Sequence, residues 1–102
     1  MASRAALHSL LVNILGTNSV YFQPPTGFQL KYPCIVYHLD DISVQHANNK
    51  PYRLTHRYSV TYMDTKNPSS KIIDDLISLK LASFNTRFVT DNIYHTVFTI
   101  YF

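Results

Sequence analysis

The sequence predicts an α+β domain, and three observations carry that prediction. A central stretch from Cys34 to Asp64 holds two long β-patterned arms, apolar stripes at helical spacing lie on either side of it, and a nearly unbroken β-favouring run closes the chain. Residues 1–102 are expected to form a single domain. The predicted order is α-β-β-β-α-β-β, as a four- to five-stranded sheet, mainly antiparallel or mixed, with two helices on one face.

The first helix is predicted to start at a Ser3 cap and to stop at Gly16. Leu7, Leu10, Leu11, Ile14 and Leu15 follow the i, i+3, i+4 spacing of a buried stripe, which places His8 and Asn13 in solvent. Thr17-Asn18-Ser19 makes a turn into a short strand, Val20 to Gln23. Pro24-Pro25-Thr26-Gly27 ends that strand in a loop, and Tyr32-Pro33 fixes an extended entry into the central hairpin.

In the hairpin's first arm, Ile35 to Leu39 is apolar almost throughout, as in a central strand, and the acidic pair Asp40-Asp41 predicts a bulge or bend. The second arm alternates: Tyr52, Leu54, His56, Tyr58, Val60 and Tyr62 face one way, and Arg53, Thr55, Arg57, Ser59 and Thr61 the other. His46 to Pro51 reads as a polar tip, since asparagine tolerates positive φ and proline cannot donate to a ladder. Each arm exceeds the usual strand of roughly five to six residues. The distal half, Ser43 through Arg53, is therefore expected to overrun the helices and to serve as a contact.

Asn67-Pro68 predicts the start of a second helix, with Pro68 at its first position. Ile72, Ile73, Leu76, Ile77 and the stem of Lys80 form its stripe, with Asp74 and Asp75 on the other side and an end near Leu81 or Ala82. Ser83 to Val89 follows as a strand, Thr90-Asp91-Asn92 as a turn, and Ile93 to Phe102 as the last strand.

Composition narrows the function. The 102 residues are 46% hydrophobic and 15% charged, with eight tyrosines and six phenylalanines, more aromatic surface than a small monomer readily hides. Self-association is the expectation, beside an ordinary β-rich core. The net charge of +3 is spread along the chain rather than clustered, so nucleic-acid binding is permitted but not demanded. The only cysteine, Cys34, opens an apolar strand and reads as an inert core thiol. Neither a membrane-length apolar run nor a signal-peptide pattern is present, and the expected setting is a reducing cytoplasm, or an assembly that leaves it.

Catalytic chemistry finds little support. His38, His46, His56 and His95 lack metal-ligand spacing, and His56 reads as a hydrogen-bonded core imidazole. Asp40 and Asp41 face opposite sides of a regular strand, and only a bulge could turn them together as an acid pair. With two glycines there is no phosphate cradle. No cofactor or metal is expected, and the protein reads as non-enzymatic. A base-stacking platform is disfavoured because the second-arm tyrosines and arginines alternate onto opposite faces.

Four segments, YPCIVYHLDDI, HANNKPY, RYSVTYMDTKNPSSKIIDDL and FNTRFVTDNIYHTVFTIYF, together resemble the tail terminator, or tail-completion, proteins in the neck of long-tailed bacteriophages. The resemblance runs from Lys31 to Phe102, with the N-terminal helix fitting in position and type. It implies an α+β subunit of a hexameric ring that caps the tail tube, ends its polymerisation and offers a surface to the head connector or stopper. DNA would pass through the lumen without sequence-specific binding, in a virion assembled in the host cytoplasm. Another neck component, a stopper or head-tail adaptor, is the alternative, and a small nucleic-acid-binding module a further one. The family has no catalytic signature to carry over, so the implied site residues are interface candidates: Asn49, Lys50, Arg53 and Arg57 on the long hairpin, and Arg87 and Asp91 near the second.

Overall fold

A computed structural model describes residues 4–47, 50–79 and 82–102, excepting the side chains of residues 43–47 and 50–55. It contains helix α1 (Arg4–Leu15), strand β1 (Val20–Phe22), strands β2 (Cys34–Ala47) and β3 (Lys50–Asp64), helix α2 (Ser70–Ile77), and strands β4 (Ala82–Thr90) and β5 (Ile93–Tyr101). The five strands form one mixed sheet in the order β1-β2-β3-β5-β4, and the fold is the expected α+β arrangement. Only β1 and β2 run parallel; the other three pairings are antiparallel.

Both helices contribute to one core. Leu7, Leu11 and Leu15 of α1 and Leu76 of α2 are buried with Val20, Ile35, Tyr37, Tyr58, Val60, Tyr62, Phe98 and Ile100. The α1 stripe is thus narrower than the leucine pattern predicts, for Leu10 is 38% exposed. Removing a side chain as large as Phe98 from such a core costs about 3–5 kcal/mol. His8 departs from the expected solvated position: it is half-buried, with Nδ1 2.7 Å from the Tyr37 hydroxyl. The Tyr37 ring, 0% exposed, sits beneath α1, so its hydroxyl takes a partner from the helix above.

Local rules explain the boundaries. Gly16, at φ 83°, ends α1 in the left-handed conformation and its N–H donates to the Val12 carbonyl. The Ser3 cap lies outside the described residues. In the loop after β1, the Phe28 N–H donates to the Pro25 carbonyl, with Gly27 at φ 84° in the position that a type II turn reserves for glycine. The β4–β5 hairpin turns on Asp91 and Asn92, at φ 51° and 62°, the two-residue geometry whose twist suits antiparallel strands.

Helix α2 begins and ends differently from expectation. Its cap is Ser69, whose hydroxyl accepts from the Ile72 N–H, so Pro68 lies just outside the helix rather than at its first position. It stops at Ile77 rather than near Leu81. The Ser78 hydroxyl and N–H both donate to the Asp74 carbonyl, closing the last turn, and the Ala82 N–H then donates to the Leu79 carbonyl. This sharp exit brings Leu79 and Ala82 against the core, which a longer helix would carry away.

The paired part of the central hairpin is longer than the sequence suggests. The strands continue through His46, paired with Pro51, and Ala47, paired with Lys50, after a register shift past Gln45. Most of the expected tip is therefore strand, and its remaining residues, Asn48 and Asn49, lie outside the described residues. Pro51 enters where the ladder is already irregular, which its missing N–H requires.

Candidate assembly surfaces

Three features of the sheet offer contacts: the overhanging ribbon, the β4 edge, and an ionic cluster between them. The ribbon follows from register. Strand β5 pairs with β3 only from Arg57, opposite Tyr101, to Asp64, opposite Tyr94. Above that rung the Phe102 N–H still donates to the His56 carbonyl; beyond His56, β3 pairs with β2 alone among the described residues, and the two strands run on as a two-stranded ribbon. The molecule measures 51 × 29 × 23 Å, with a radius of gyration of 14.7 Å. A compact chain of this length would have about 13 Å. The excess fits an arm projecting from a compact base.

The ionic cluster sits where the ribbon leaves the base. The register shift between Leu39 and Asp41 makes Asp40 the extra residue of a bulge and sets Asp41 opposite Arg57. Asp40 accepts from Arg57 Nε at 3.0 Å. The Tyr101 side chain, on the rung opposite Arg57, also bonds the guanidinium; that hydrogen bond first, and the Asp40 charge second, hold Arg57 more firmly protonated. The bulge predicted at the acidic pair is present, and it turns both carboxylates toward one cation rather than into an acid pair. Groups this exposed contribute modestly to stability. Their effect is to pin the ribbon's root to the end of β5.

Strand β4 has the opposite character. Every residue from Ser83 to Thr90 is exposed, including Phe84 at 54%, Phe88 at 45% and Val89 at 58%. Phe84 packs edge-on against Phe98, while Phe88 stacks on His95 with ring centroids 4.6 Å apart. These two phenylalanines lie on opposite faces of the sheet, because a register shift between Phe84 and Thr86 changes the alternation. An outermost strand with apolar groups on both faces and no proline or lysine among its described residues has Arg87 and the irregularity after Phe84 as its guards against further pairing.

The six candidate residues do not form one site. Lys50 and Arg53 lie on β3, opposite Ala47 and Gln45, with side chains outside the described set, and Asn49 lies outside it altogether. Arg57 belongs to the cluster at the ribbon's root and is an internal partner rather than a free cation. Arg87 is exposed on β4, level with Thr96, and Asp91 is in the β4–β5 turn, at the end of the sheet remote from the ribbon. Sequence reasoning passed over Asp40, Tyr101, Phe84, Phe88 and Val89 as contacts. The acidic pair signalled the first, whereas the others depend on which strand is outermost.

Cys34 is buried, and burial first, with the Asp64 charge second, pushes its thiol up to about 11. The expected inert thiol is what such a group is at neutral pH. His56 is only half-buried, its ring 6.4 Å from that of Tyr58. Among the described residues no cluster of histidine, cysteine, aspartate or glutamate could hold a metal ion, and no helix is long and apolar enough to cross a membrane. No family model matches the chain, and no curated protein matches it in sequence.

Proposed function

We propose that this protein is a non-enzymatic structural subunit that assembles into a ring, and that the ring caps the tail tube of a long-tailed bacteriophage. The observation that carries the reading is the ribbon: beyond the last β3–β5 rung the two paired strands of β2 and β3 run on with open edges, which can take a strand from another chain. The aromatic-rich composition and the β4 edge support the same direction. The station at the tube's end rests on the four-segment resemblance, as does the hexameric count. In this reading the ring stops tube growth, presents its other rim to the head connector or stopper, and lets DNA pass through its lumen in the assembled virion.

Native mass spectrometry and negative-stain microscopy of the purified protein, alone and with isolated tail tubes, test the reading. Closed rings, in solution or on tube ends, are the expected outcome, and a protein that stays monomeric and never binds tubes would sink it. Pull-downs against separate heads and tails then decide the station. A terminator binds tails without heads present, whereas capture by heads alone would favour a stopper or adaptor.

A further inference from the structure

We infer that neighbouring copies join edge to edge, the open side of β4 in one copy pairing antiparallel with the open distal side of β2 in the next. This inference rests on the ring reading and names the surfaces that close it.

The two edges are available and unlike. Strand β1 covers β2 only from Ile35 to Tyr37, and the Gln23 side chain extends that cover by accepting from the Leu39 N–H. Beyond Leu39, β2 has no second neighbour among the described residues; at the other end of the sheet, β4 has none beyond β5. Each edge therefore presents unpaired backbone groups, and each carries apolar side chains: Phe84 and Val89 on β4, and Ile42, 45% exposed, on β2.

Strand direction selects the partner. Each of the pairings β2–β3, β3–β5 and β5–β4 is antiparallel, so β4 runs opposite to β2. Rotation about an axis along the strands preserves direction, and successive copies then offer β4 to β2 in the antiparallel sense, the more stable of the two. Such a contact is head-to-tail, uses both edges, and closes into a ring. A two-fold β4–β4 contact would leave the β2 edge of both copies open.

Register agrees with closure. Phe84 pairs with Phe98, Phe98 with Val60, and Val60 with Tyr37, so Phe84 is level with Tyr37 and shares its helix-side face. Strand β4 runs back from Phe84 to Thr90, so a slide of four rungs to Ile42 would lay Val89 on Tyr37, which β1 already covers; a slide of six rungs to Val44 sets Val89 level with Leu39, the last covered residue, and leaves Ala82 to Phe88 against the open edge. At about 3.3 Å per residue this slide is roughly 20 Å, over four strand spacings totalling about 19 Å. The strands then tilt by roughly 45°, the upper end of the range in which closed sheets stand to their axis.

The double variant Phe84→Cys with Val44→Cys tests the contact after mild oxidation, Cys34 being buried. The expected result is a ladder of covalent multimers ending at the ring, with neither single variant producing one. Phe84→Lys and Val89→Lys, checked for native circular dichroism, are expected to raise the concentration for half-assembly at least tenfold. Rings that form in the unsubstituted protein without a ladder, and that tolerate both lysines, would overturn the edge contact and leave the ring standing. Covalent dimers formed by the Phe84→Cys single variant alone would overturn it in favour of the two-fold contact. A monomer under all conditions would overturn both readings.

Discussion

The base of the sheet and its projecting ribbon are built from the same two strands under different rules. In the base, β3 lies between β2 and β5, its inward residues Tyr58, Val60 and Tyr62 are buried, and two helices cover that face. In the ribbon the same strand has one neighbour, and Ile42 at its root is already 45% exposed. In the sequence the alternation of β3 runs on from Tyr62 back to Tyr52. What changes is whether a third strand and a helix stand beside it, so one pattern is covered at one end and left with an open edge at the other.

Separating these roles is the first way to break the comparison. Excising residues 43–55 and joining Ile42 to its rung partner His56 through Asn-Gly, a two-residue turn suited to antiparallel strands, should leave a cooperative thermal melt and abolish ring formation entirely. An unfolded product would show that the ribbon supports the base. The converse substitution, Phe98→Ala, should cost about 3–5 kcal/mol in denaturant titration, against a total of about 5–15 kcal/mol for a domain. Rings formed from the surviving folded fraction should be normal.

Alkaline titration sharpens the contrast, because the groups it reads belong to the base. Burial first raises the Cys34 thiol to about 11, and burial likewise raises the Tyr37 and Tyr62 hydroxyls. A raised folded pKa favours the native state fully below the unfolded value, here 9.0 for the thiol, and that contribution is lost as pH climbs through about 11. Stability should therefore decline between these limits, and Cys34→Ala should flatten the first part of the decline. An unchanged profile would mean that the thiol is solvated. The smallest effect is expected at the junction: Arg57→Glu, facing Asp40 and Asp41, should lower the melting temperature slightly, with added salt restoring part of the loss. A collapse of structure would make the cluster a core element.

The sequence made the base legible and left much of the surface unread. Alternation in β3 and the run from Ile35 to Leu39 identified the strands and their buried side, because a two-residue period leaves one choice of face. Asp40-Asp41 marked the bulge for the same reason, two charges interrupting an apolar strand. By contrast, α2 was predicted about four residues too long, because nothing in the periodicity of Leu76 to Leu81 records that Ser78 bonds back to Asp74. His8 was misplaced because its partner, Tyr37, is brought to it only by tertiary packing. The exposure of Phe84, Phe88 and Val89 was unreadable for a related cause. Strand order is a property of the whole sheet, and residues 83–89 look the same whether another strand follows or not. Charge alone marks Lys50, Arg53 and Arg57 on the hairpin as contacts, and charge does not record that Arg57 is already paired with Asp40.

Strand β3 also has a mechanical consequence. Its 15 residues pass without a break from the ribbon into the middle of the sheet, where hydrogen bonds flank it on both sides. A pull along the ribbon would load all of those bonds together in shear, while a pull across β4 would open its single ladder one rung at a time, like a zip. A sheet built this way holds firmly at its arm and yields first at its edge.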